Sequence, residues 1–220
     1  RKSVAVPKLF DLTSLQREAN KILGYTAKQT LDYAQSLYEK KLITYPRTDS
    51  RYLTDDMAET FNAVLHMAAK VPPFDAVPNF YPSTEQVINN KKVSDHHAII
   101  PTKELEKTDL STLTNGEKLL LLLIICRVLC AVYYPYTYES VTTEFGCDEH
   151  KFIHKGIKVV SLGFKEIQNL FKFELDEDDE KDILLSDFHQ GQVFEDCEMD
   201  VSEHHTKPPK PHTEATLLLE

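Results

Sequence analysis

No two of the four cysteines in this 220-residue chain form a Cys-x-x-Cys pair. Cys126, Cys130, Cys147 and Cys197 are therefore read as reduced, mostly core residues, and a zinc site built from them is set aside. Long apolar runs are missing as well. The longest, residues 119–125, is soon followed by Arg127 and falls far short of the ~20 residues that a membrane-spanning helix needs. The N-terminus has no basic-then-apolar signal segment. No Gly-x-x-x-x-Gly-Lys-Ser/Thr loop occurs, which removes the reason to invoke ATP. These absences point to a cytoplasmic protein with no membrane partner. Met is absent from position 1, and the opening Arg1-Lys2-Ser3 reads as the start of an excised piece.

A positive net charge is lacking too. The formal charge is −10, which by itself argues against a nucleic-acid partner. Its distribution changes that conclusion. Residues 1–51 hold ten Lys/Arg against five Asp/Glu, a net +5. Residues 171–205 hold two against thirteen, a net −11. Only one surface is then suited to meet a phosphate backbone. The acidic run 174–182 reads as a solvated loop.

The first 135 residues follow a mainly helical pattern. Thr13 with Gln16 predicts a capping box, Leu15, Ala19, Ile22 and Leu23 recur at helical spacing, and Gly24 is a stop. Thr26 predicts the cap of a second helix through about Lys40, with Leu31, Ala34, Leu37 and Tyr38 facing inward. Thr54 predicts the cap of a third over 55–69, ended by Val71-Pro72-Pro73. Four prolines within residues 71–84 make that stretch an irregular loop. Thr114 with Glu117 opens an apolar helix over about 115–134, the expected buried spine. From Tyr136 the grammar changes to strands, rich in Thr, Val, Tyr and Phe and punctuated by Gly146, Gly156 and Gly163. Residues 183–201 show it again, with Gly191-Gln192-Val193 as a strand entry. Lys207-Pro208-Pro209-Lys210-Pro211 reads as a linker, and Thr213 as the cap of a last, truncated helix.

The most informative stretch is Leu42-Ile43-Thr44-Tyr45-Pro46-Arg47-Thr48-Asp49-Ser50-Arg51-Tyr52. It sets a phenol, a guanidinium, hydroxyls and a carboxylate close together, which suits phosphoryl transfer through a tyrosine ester. Tyr45 can attack phosphorus covalently. A free tyrosine titrates near ~10, so the phenol needs electrostatic help, and Arg47 is the obvious source. Pro46 keeps Tyr45 extended and off a helix interior. Thr48 and Ser50 can donate to phosphate oxygens or serve as local caps. Asp49 can orient a histidine or an arginine, or cap a helix. Further on, His96 and His97 follow Asp95, but adjacent side chains diverge, so the group is a poor metal site. His150 and His154 stand in a strand segment and read as surface residues, as do His204 and His205 in a polar linker.

Residues 43–50 resemble the active-site tyrosine motif of type IA DNA topoisomerases, and the Pro after the Tyr is most similar to the topoisomerase III branch. Asp95-His96-His97-Ala98-Ile99-Ile100-Pro101-Thr102 is a second match. Leu9-Phe10-Asp11-Leu12-Thr13-Ser14-Leu15-Gln16-Arg17-Glu18-Ala19 is a third, and Thr213-Glu214-Ala215-Thr216-Leu217-Leu218 a fourth. The resemblance implies an α+β multidomain fragment: a mainly helical tyrosine-bearing domain followed by a β-rich arch segment. Residues 1–7 are then the end of a preceding arch strand or a linker, and 8–135 the tyrosine domain. Residues 136–206 are the arch segment, and 207–220 the linker and start of the next domain.

The implied reaction is cleavage and rejoining of one DNA strand through a 5′-phosphotyrosyl intermediate, independent of ATP. The resemblance makes Tyr45, Arg47 and His96 catalytic, and Thr48, Asp49, Ser50, Arg51 and His97 DNA contacts. It implies Mg²⁺ in the complete enzyme with ligands outside this chain, since no Asp-x-Asp pair in strand context is present and the block Asp176-Glu177-Asp178-Asp179 is no substitute. Partners are single-stranded DNA and the remaining domains of the same enzyme, without which the piece is inactive. Two other readings compete. One is a non-catalytic, winged-helix-like module that binds single-stranded DNA. The other is a protein-interaction domain using the acidic strand region.

Overall fold

A helix that is apolar all round has to be buried, and α4 (Asn115–Ala131) is. Leu120, Leu121, Ile124, Ile125, Val128 and Ala131 have essentially no exposed surface. Around it the computed structural model arranges a mixed helix-and-sheet fold, described for residues 1–77, 82–174, 189–195, 197–198, 200–209 and 211–218. The helices are α1 (Leu12–Leu23), α2 (Ala27–Glu39), α3 (Ala58–Ala68), α5 (Lys165–Glu174) and α6 (Glu214–Leu217). β1 (Lys2–Val4), β2 (Tyr136–Cys147) and β3 (His150–Ser161) form an antiparallel sheet in the order β1-β2-β3. Of the cysteines, Cys126 and Cys130 are buried, whereas Cys147 and Cys197 are exposed.

Helix starts follow the local chemistry, with two corrections. Thr26 with Gln29 and Thr114 with Glu117 form the capping boxes of α2 and α4. α1, however, is capped by Asp11 with Ser14, not by Thr13 with Gln16. Gln16 instead reaches across to the Ala27 carbonyl at 3.0 Å, tying α1 to α2. Thr54 makes no capping bond either. A 3-10 turn, Asp55–Met57, precedes α3, and the Asp55 amide donates to Asn90 Oδ1 at 2.9 Å. Gly24 ends α1 with φ of 68°, a conformation that favours glycine.

The strand region also differs from expectation. β2 and β3, twelve residues each, form a hairpin, but α5 follows it directly. Phe164, Ile167 and Phe171 join the core. Gly163 makes this approach possible: a Cβ there would stand 2.3 Å from the Pro135 carbonyl oxygen. Within 183–201, residues 183–188, 196 and 199 lie outside the described residues, as does 175–182 of the acidic run. The described remainder contains a turn at Gln190 and Gly191 and no strand. Thr213 caps α6 as expected, and α6 docks on the α1–α2 corner. Ala215 N donates to Asn20 Oδ1, and Arg17 Nε to the Ala215 carbonyl, both at 3.2 Å.

One buried charge ties α2 to α4. Glu117 is 4% exposed and pairs with Lys40 Nζ at 2.5 Å. Burial alone would raise its carboxyl pKa. Hydrogen bonds from Lys40, Ser36 and Thr114 outweigh that and hold it down at about 2. A depressed carboxyl stabilises the fold above its ordinary pKa and loses that contribution as pH falls through the folded value. Glu117→Gln is therefore expected to flatten the loss of stability between about pH 4.5 and 2. Urea midpoints measured across that window check this; an unchanged acid slope would show that the pair contributes nothing.

Candidate active site

The site begins where α2 ends. Lys41 takes a left-handed conformation, φ 61°, and turns the chain from the helix into residues 42–44. These run antiparallel to residues 98–102. Thr102 N donates to the Leu42 carbonyl at 3.0 Å, and Thr44 N to the Ile100 carbonyl at 2.9 Å. The Thr44 hydroxyl extends the pairing: it accepts from Ile100 N at 3.0 Å and donates to the Ala98 carbonyl at 3.2 Å. On its other side the 98–102 segment meets the N-terminal motif, where Ile99 N donates to the Phe10 carbonyl at 2.8 Å. Three sequence motifs thus share one small backbone ladder, with Leu9, Phe10, Leu42, Ile43, Ile99 and Ile100 buried beneath it.

Tyr45 leaves this ladder half-buried. Its ring lies 4.5 Å from the His96 ring, tilted by 47°. The Tyr38 ring meets it edge-on at 5.5 Å. Tyr38, expected on the inner face of α2, is 39% exposed and supports the Tyr45 ring instead. The Tyr45 hydroxyl has no hydrogen-bond partner among the described residues. Arg47 is exposed, two positions on, with no ion pair among the described residues. Asp49 is also exposed.

Thr48 and Ser50 are placed differently, at 7% and 4% exposure. The Thr48 hydroxyl donates to the His96 carbonyl at 2.9 Å and accepts from Ser50 N at 3.1 Å. The Ser50 hydroxyl donates to the Lys92 carbonyl at 2.8 Å and accepts from Tyr52 N at 3.2 Å. Both hydroxyls are spent on backbone, bracing the tyrosine loop against the 92–96 loop. Arg51 pairs with Asp11 Oδ2 at 2.6 Å, so the α1 cap also anchors this loop. His97 Nδ1 donates to its neighbour's carbonyl, Ala98, at 2.8 Å.

The arrangement brings Tyr45 and His96 together, leaves Arg47 exposed two positions further along the loop, and buries Thr48 and Ser50. Sequence reasoning missed Tyr38, and also a second cluster on the same loops. There, Lys8 and Lys92 flank the Tyr52 ring at 5.5 and 4.9 Å. The Lys8 ammonium is the main cause of a lowered Tyr52 phenol pKa; partial burial opposes it and Lys92 adds to it. Among the described residues no group of three or more His, Cys, Asp or Glu side chains stands together as a metal site, so the residues present do not fit Mg²⁺.

The loop that holds Tyr45 against His96 belongs to a chain with known kin. The chain belongs to the DNA topoisomerase family, whose model matches residues 1–220. It is 38% identical over 223 residues to DNA topoisomerase 3 of Staphylococcus epidermidis, covering 99% of this chain and 30% of that protein. It is 37% identical to DNA topoisomerase 3 of Bacillus subtilis, again over 99% of this chain and 30% of that protein. The chain therefore spans about 30% of the length of these relatives. The fold is similar to that of full-length topoisomerase I from Thermotoga maritima, with a TM-score of 0.61 and 24% identity over 87% of this chain and 30% of that one. The resemblance of the tyrosine motif to the type IA, topoisomerase III branch stands.

Thr48 tests the bracing directly. Thr48→Val keeps the volume but leaves the buried Ser50 N without its acceptor and the His96 carbonyl without its donor. This is expected to cost about 1–3 kcal/mol of stability in the absence of DNA, read from urea unfolding. Unchanged stability would return the Thr48 hydroxyl to solvent and to a direct DNA contact.

Proposed function

We propose that this chain carries the nucleophile of a type IA DNA topoisomerase of the topoisomerase III kind, which cuts and rejoins a single DNA strand without ATP. The observation that carries this reading is the loop that packs the Tyr45 ring against His96 and Tyr38, with Arg47 exposed two positions on and without an ion pair among the described residues. The Tyr45 oxygen forms a bond to phosphorus and gives up its proton. The bond from phosphorus to the 3′ oxygen breaks, and that oxygen takes up a proton. The 5′ side of the break stays on Tyr45. Attack by the 3′ hydroxyl reverses the step, so the phosphodiester energy is kept in the tyrosyl ester.

Arg47 supplies charge to the phosphoryl oxygens as negative charge builds. His96 stands where a protonated ring offsets phosphate charge or moves a proton. Asp49, Arg51 and His97 line the approach of single-stranded DNA, whose phosphates supply most of the affinity. Thr48 and Ser50 act one layer further in, by holding the loop. The Mg²⁺ that supports the complete enzyme is held by ligands from outside this chain, as are the remaining domains that complete the site. The isolated chain is then inactive, and its setting is the cytoplasm.

The test combines this chain with the portion of a DNA topoisomerase 3 that it does not cover, in the presence of Mg²⁺ and 3′-labelled single-stranded DNA. A covalent, label-retaining adduct is expected with the unaltered chain and absent with Tyr45→Phe, while DNA binding persists. An adduct at full level in that variant would remove Tyr45 as nucleophile. DNA binding without any adduct in an assembled complex would favour a non-catalytic DNA-binding module. Arg47→Ala is expected to slow adduct formation about 10²–10³-fold, more than it weakens binding. Equal losses would make Arg47 a binding residue only.

A further inference from the structure

We infer that Lys8, Tyr52 and Lys92 form a subsite for a phosphodiester of the DNA strand, set beside the Tyr45 loop and separate from the phosphate that reacts. The inference rests on the proposed reading of this surface as a DNA site and adds to it three residues, from two loops and from the position just before the N-terminal motif.

Two ammonium groups flank one aromatic ring, at 5.5 and 4.9 Å from its centre. Lys92 Nζ also lies 3.4 Å from the Tyr52 hydroxyl. Neither lysine has a carboxylate partner among the described residues. Asp11, three residues on from Lys8, is taken by Arg51. Two uncompensated cations held at one ring repel each other, and an anion beside the phenol relieves that repulsion. The lowered phenol pKa reports the same excess of positive charge.

The backbone under all three residues is fixed. The Lys8 carbonyl accepts from Arg127 Nη1 at 3.3 Å, and the Lys92 carbonyl from the Ser50 hydroxyl at 2.8 Å. The Tyr52 carbonyl accepts from Ala98 N at 2.9 Å. Ala98 in turn accepts from Thr44, the neighbour of Tyr45. The two lysines therefore spring from anchored positions on the layer that presents the nucleophile. A phosphate fits better than a base, because the ammonium groups lie over the ring that a base would stack on.

The test is binding of a fluorescent single-stranded oligonucleotide to this chain across a range of KCl. Each phosphate contact contributes roughly 0.7 to the slope of log affinity against log salt for single strands. K8A/K92A is expected to reduce the slope by roughly 0.7, for the one phosphate released. K8R/K92R is expected to retain it. So is K21A/K28A, which removes two exposed lysines at the far α1–α2 corner. An unchanged slope in K8A/K92A, an equal fall in K21A/K28A, or no binding by the unaltered chain would each overturn the subsite. The transesterification reading is judged separately, by the Tyr45 adduct at saturating DNA. In the complex assembled with the portion of a DNA topoisomerase 3 that this chain does not cover, the adduct persists in K8A/K92A if the lysines only bind, and its absence with the unaltered chain would sink transesterification while leaving the salt slope to decide the subsite.

Discussion

Residues 98–102 are hydrogen-bonded along both edges. Phe10 accepts on one side, and residues 42–44 pair on the other. Backbone groups buried at this depth must find partners, so the pairing is obligatory and its register fixed. Everything in the site depends on that register. It sets Thr44 beside Ala98, and the chain leaving Thr44 delivers the Tyr45 ring to His96. The buried Thr48 hydroxyl then bonds the His96 carbonyl, which closes the loop on itself. α4 lies under the whole arrangement, and its Arg127 reaches up to Glu18 at 2.8 Å and over the Phe10 ring at 4.2 Å. The proposed role of Tyr45 needs a braced loop of this kind, because a reacting side chain has to be held in position.

Charge is handled in two ways on this molecule. Where a charge is buried, it is paired and hydrogen-bonded, as for Glu117 with Lys40 and Asp11 with Arg51. Arg47, Lys8 and Lys92, which face solvent on the segments that carry Tyr45 and flank Tyr52, lack carboxylate partners among the described residues. The net charge of −10 hides this, because the acidic residues concentrate late in the sequence. A local positive surface on an acidic chain is enough to attract a polyanion within a screening length of about 10 Å at 0.1 M salt.

The parts of the fold legible in the sequence are those decided locally. The boxes of Thr26 with Gln29 and of Thr114 with Glu117 involve residues three apart, and no distant group competes for them. The start of α1 was misread because Asp11 with Ser14 and Thr13 with Gln16 offer the same local pattern. The choice was made by distant partners, Arg51 for Asp11 and Ala27 for Gln16. Thr54 makes no cap because the Asp55 carboxylate takes the Asp56 amide at 2.9 Å, a local competitor. α5 did leave a signal: Phe164, Ile167 and Phe171 recur at helical spacing within a stretch that otherwise reads as strand. At the site, Tyr45 and Arg47 were legible from their motif. The packing of Tyr45 on His96 and Tyr38, and the meeting of Lys8 and Lys92 at Tyr52, were not, because tertiary contacts between loops create them.

The central claim is that this loop makes Tyr45, and no other tyrosine near it, the atom that bonds to DNA. The direct measurement is peptide mass mapping of the covalent adduct after nuclease and protease digestion. The account predicts a nucleotide remnant on the peptide holding Tyr45, linked through its phenolic oxygen. A remnant on Tyr38 or Tyr52 instead would contradict it.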